Sequence, residues 1–110
     1  MNCPAVTPVT RRPLGVGRQR VSLDDLLRRI ERACQFLAGA NLSVLSFGGS
    51  TFDGPIVVVA ASPRVYSLFS GRYERTEFRQ DGALRHETWE ATDAVNHVRV
   101  RWQEVVACGM

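Results

Sequence analysis

Apolar positions recur at two different periods along this chain, and the change of period marks its plan. Leu23, Leu26, Leu27, Ile30, Cys34 and Leu37 are spaced three and four apart, the period of one helix face, while Arg28, Arg29, Glu31, Arg32 and Gln35 lie off that stripe. Ser22 precedes the stripe with Asp25 three positions on. At that spacing a hydroxyl accepts from a backbone N–H of the first turn and a carboxylate reaches back. Asp24 and Asp25 also suit the positive end of the helix dipole. Gly39 supplies the positive-φ stop, and Asn41 follows it. A helix over residues 23–38 is predicted, anchored by Leu26, Leu27 and Ile30.

Past the helix every run reads as a strand. Residues 42–47 are short and apolar and lead into a glycine-rich loop, 48–55. Residues 56–61 are continuously apolar and β-branched, as in a strand covered on both faces. Ser62-Pro63 reads as a turn and 65–70 as the next strand. Strands over 73–79 and 84–91 flank Asp81-Gly82, a hairpin signal. A loop around Asp93 and Asn96 leads to 97–106, where Val98, Val100 and Trp102 alternate with His97, Arg99 and Arg101. Strands joined by short turns, with no crossover helix between them, pair antiparallel. The expected fold is therefore α+β: one N-terminal amphipathic helix packed on a five- to six-stranded, mainly antiparallel sheet.

One such helix cannot cover a five-stranded sheet, so the remainder is solvated, curled over itself, covered by the N-terminal arm or buried against another chain, and a homodimer or docked partner is the simplest second cover. The strand ending in Val105-Val106 has no proline or lysine to blunt an exposed edge.

Residues 1–20 hold Pro4, Pro8, Pro13, Gly15 and Gly17 without period, and read as an arm lacking regular structure ahead of a single domain at 21–110. A chain of 110 residues with 45% hydrophobic and 23% charged residues is an ordinary globular composition. It can bury roughly 65% of its unfolded surface without help from a metal or disulfide. The longest apolar run, 56–61, falls far short of the ~20 residues of a membrane span. Prolines and arginines interrupt the N-terminus where a secretion signal would be apolar. A cytoplasmic protein without a membrane partner is expected. Cys3, Cys34 and Cys108 share no metal-ligand spacing. Cys34 reads as a core residue, and Cys3 with Cys108, near the two termini, is the pair placed for a disulfide under oxidising conditions.

Charge adds one asymmetry. All 14 basic residues are arginine, and seven of them, Arg11, Arg12, Arg18, Arg20, Arg28, Arg29 and Arg32, fall in the first 32 residues against Asp24, Asp25 and Glu31. The rest of the chain is near neutral. A rigid, permanently charged guanidinium suits phosphate or carboxylate recognition, so these seven are the candidate partner-binding residues.

Catalytic signals are missing. The 48–54 segment has no phosphate-loop pattern and precedes a strand instead of a helix. His86, Glu87, Glu90 and His97 share a hairpin, but His86 and Glu87 point to opposite faces, and pairing of Glu87 or Glu90 with Arg99 or Arg101 accounts for the charges. No catalytic, cofactor-binding or metal-binding residue is assigned. The expectation is a small non-enzymatic protein-binding module, an adaptor or inhibitor of the kind a phage or other mobile element encodes, whose partner is another protein or a second copy of itself. The alternative is a nucleic-acid-binding protein using its arginine-rich arm and helix face.

Overall fold

The computed structural model describes residues 21–107. The expected arm, with Arg11, Arg12, Arg18 and Arg20, and the Cys3–Cys108 pair lie outside those residues. The chain forms α1 (Leu23–Gly39), β1 (Val44–Ser50), β2 (Gly54–Val59), α2 (Pro63–Phe69), β3 (Tyr73–Asp81), β4 (Leu84–Asp93) and β5 (Val98–Ala107). The fold is α+β, with one five-stranded sheet ordered β1-β2-β5-β4-β3. Three of its four pairings are antiparallel, and β2 with β5 is parallel.

Of the local signals at α1 the Ser22 cap holds, but the stop does not fall at Gly39, which is the last helical residue; the positive φ is at Asn41 (65°). The Ser22 hydroxyl accepts from the Asp25 N–H at 3.1 Å. Asp25 does not reach back; its carboxylate meets Arg29 at 2.9 Å, one turn on. The buried stripe is Leu26, Ile30, Ala33 and Leu37, narrower than the apolar pattern. Leu23 and Leu27 are 60% and 52% exposed, so Leu27 is not an anchor. A residue one step from Leu26 is rotated by 100° on the helix, beyond the contact with β1, β2 and β5 on which α1 rests. Cys34 sits half-buried beside the stripe, and burial pushes its thiol pKa up.

The run 65–70, expected as a strand, is helical. Ser62 caps α2, its hydroxyl accepting from the Arg64 N–H at 3.0 Å, and Pro63 starts the helix where its missing N–H costs nothing. Val65 and Phe69, four apart, both point into the core. The Ser-Pro pair read as a turn is thus a helix start, and a six-residue run is too short for its period to decide.

That helix changes the topology. α2 and the β3–β4 hairpin separate β2 from β5 in the chain, which lets the two pair in parallel (Val57 opposite Val100) and puts β5 in the middle of the sheet. The C-terminal strand is therefore an edge only in part. β2 pairs with Arg99, Val100 and Arg101, and beyond them β5 has β4 on one side alone, with Val105 and Val106 exposed.

The core lies on one sheet face. Val57, Val59, Val98, Val100, Trp102 and Ala91 pack under α1 and α2. The opposite face carries Ile56 and Val58 beside Arg99 and Arg101, all only half-covered, so 56–61 is not covered on both sides among the described residues. The 48–55 loop is also mostly strand: only residues 51–53 turn. Gly49 (φ 122°) lies so close to the Gly54 carbonyl that a Cβ would sit 2.2 Å from its oxygen, hence the glycine.

Candidate functional site

The β3–β4 hairpin turns at Gly82 (φ 62°), as its sequence signals. Register then decides which charges meet. Glu90 stands opposite Arg101, which donates from Nε at 2.9 Å, the expected cross-strand pair. Glu87 does not meet Arg99 or Arg101, because it faces the other side of the sheet. It accepts from Trp89 Nε1 and Arg75 Nη1, each at 3.1 Å, with Arg85 Nε at 2.9 Å. Burial pushes its carboxyl up, but the two hydrogen bonds and the two guanidinium charges outweigh that and hold its pKa below the ordinary value. Arg75 also lies 4.7 Å above the Phe78 ring. Arg85 Nε lies within ion-pair range of Glu87 but is buried without a hydrogen-bond partner among the described residues, while the other groups bond one another and brace the hairpin.

A second cluster joins α2 to the sheet. The Tyr66 ring stands edge-on to Tyr73, Trp102 and Trp89 at 5.0, 5.4 and 6.4 Å. Its hydroxyl donates to Glu104 and accepts from Trp102 Nε1 at 3.0 Å. Burial, then the bond to Glu104, push the phenol up to about 12, while the Trp102 bond pulls the other way. A folded pKa above the unfolded value of 10.0 means the neutral phenol's contribution to stability is intact below that pH and is lost as pH rises toward about 12. A phenolate absorbance titration is expected to show a last step near pH 12 that Tyr66→Phe removes. A titration unchanged by that substitution would refute the assignment.

Asp93 is buried but consumed by its turn, accepting from the N–H of Val95 (3.1 Å) and of Asn96 (3.2 Å) and from the Asn96 side chain (2.7 Å). Beside it a groove of about 610 Å³ has Phe36, Phe69 and Tyr73 in its walls and Arg72 and Glu74 at its lining. Among the described residues no three His, Cys, Asp or Glu side chains group as metal ligands, and no helix is long and apolar enough to cross a membrane.

Of the seven candidate arginines, three are described. Arg29 is paired with Asp25, and Arg28 and Arg32 are exposed. Asp24 and Glu31 flank them, and α1 carries as many acids as arginines, so its outer face has no net charge.

Residues that the charge pattern passed over make a more distinctive surface. Phe36, on one flank of α1, shares the groove with α2 and the β4–β5 turn. The other flank, with Leu23 and Leu27, therefore overhangs β1. Below it Phe47 is 61% exposed, on the same sheet face as its partner Val57. Ser50 caps the β1–β2 turn, accepting from the N–H of Phe52 and Asp53, and leaves the Phe52 ring exposed. Val21 donates to the Thr51 carbonyl at 2.9 Å, which ties the start of α1 to that turn.

The two sheet edges contrast. β3 is charged throughout, with Glu74, Arg75, Glu77, Arg79 and Asp81, and bulged between Arg75 and Glu77. β1 reads Val-Leu-Ser-Phe-Gly-Gly-Ser, with no charge and no proline, and only a bulge that leaves Leu45 extra and exposed. Helix spacing signalled Leu23 and Leu27 but counted them as core. Nothing in the sequence marked β1 as an edge. Comparison with protein-family models, curated proteins and solved structures finds no match to this chain.

Proposed function

We propose that this chain is a non-enzymatic protein-binding module that takes its partner at the β1 edge and the overhanging flank of α1. The observation that carries this reading is the contrast between the edges. Sheets blunt their free edges with charge, proline or cover, because unpaired backbone groups recruit other strands. β3 is blunted in that way, and among the described residues β1 is not. An added strand would gain the backbone bonds of β1 while its side chains meet Phe47, Leu23 and Leu27, the mode by which many domains bind extended segments. The border of β1 adds the exposed apolar side chains of Leu23, Leu27, Phe47 and Phe52 to its free backbone groups.

Affinity capture from source cells, using the full-length chain and its Leu27→Asp variant as baits, tests the reading. Wild type is expected to retain a protein that the variant loses, and the retention should persist as salt rises, since apolar contact is not screened. Identical captures by both baits overturn it. Recovery of nucleic acid that elutes steeply with salt would move the assignment to an arginine-arm phosphate binder.

A further inference from the structure

We infer that the partner at the β1 edge is a second copy of this chain, joined by antiparallel β1–β1 pairing about a two-fold axis into one ten-stranded sheet. The inference rests on the protein-binding reading above and names its occupant. In a two-fold antiparallel contact residue i of one copy meets residue j of the other and j meets i, so an uncharged strand pairs with its own copy in every register without setting like charges together. β3, with five charged residues in nine, is confined to registers that match opposite charges. β1 carries no charge and has no such restriction. An uncharged edge also offers no charge complementarity by which to select a different, charged strand.

The geometry of the pairing adds the apolar cover. A two-fold axis perpendicular to the sheet keeps both α1 helices on the same face. Their outer flanks then approach across the seam, with Leu23 and Leu27 of each copy turned toward the other above the two Phe47 rings. Leu23, Leu27, Leu45, Phe47 and Phe52 are each more than half exposed. An aromatic side chain carries roughly 150–250 Å² and a leucine somewhat less. The five together thus offer on the order of 500 Å² per copy and on the order of 1,000 Å² per pair, about the lower bound for a biological interface.

Sedimentation of the full-length chain between about 1 and 100 µM, the range of modest interfaces, is the test. A dimer is expected. Ser46→Lys and Phe47→Asp, both at exposed positions, should raise its dissociation constant by about 100-fold by placing an unpaired charge in the apolar seam, whereas Glu77→Lys on β3 and Val105→Arg on β5 should leave it unchanged. Hydrogen exchange over Val44–Ser50 of the wild type should slow as concentration rises, which needs no variant. A monomer throughout the range overturns the inference, as does a dimer indifferent to the β1 substitutions or broken by Glu77→Lys or Val105→Arg. A monomeric wild type that still captures a protein lost from Leu27→Asp would leave the protein-binding reading standing and remove only the second copy.

Discussion

Trp102→Ala is expected to cost about 3–5 kcal/mol, the loss for a large aromatic taken from a packed interior. Trp102 is fully buried at the middle of β5, stacked on Phe69 at 6.4 Å and edge-on to Tyr66 at 5.4 Å. Its removal opens a cavity beneath α2 and takes away the N–H that Tyr66 accepts. A small domain holds only about 5–15 kcal/mol in total, so the variant should be marginal or unfolded at ambient temperature. Trp102→Phe separates the two losses. It retains much of the ring contact but removes the indole donor, and a cost of about 1–3 kcal/mol is expected for the broken buried bond. Urea unfolding measures both. Equal small costs would mean that α2 is not held by this cluster.

Ile30→Ala is expected to cost about 2–5 kcal/mol and Leu27→Ala less than about 1 kcal/mol. The two residues are both large and aliphatic and lie one turn apart in the sequence pattern. Only their orientation separates them, since Ile30 is 5% exposed and Leu27 52%. Truncating Ile30 leaves a hole against the sheet, whereas truncating Leu27 removes surface that is already half wet. Paired thermal or urea midpoints decide this. Equal costs would show that α1 is rolled from the orientation described.

Local chemistry was legible wherever a residue's partners lie within a few positions. The cap at Ser22, the glycine turn at Gly82 and the Asp93 turn depend on contacts two or three residues away, and each forms as its sequence signals. The alternation of Val98, Val100 and Trp102 likewise reports a strand with one buried face. The segment 65–70 was not legible, because β-branched and aromatic residues favour strands while Ser62-Pro63 suits both a turn and a helix start. Tertiary packing of Val65 and Phe69 settled it. The candidate surface was still less legible. An uncharged strand such as β1 reads like an interior one until its neighbours are known.

By itself, then, the sequence determined the class of fold, the extent of α1, the hairpin and the face of β5 that is buried, since short-range sterics and the period of apolar residues decide these. The pairing of β2 with β5 was decided by the tertiary structure alone. The insertion of β5 between β2 and β4 is a long-range pairing that turns on helix α2, and it brings together residues some forty positions apart. From that single arrangement follow the two edges, the exposure of Leu27 and the surface on which the proposed partner sits.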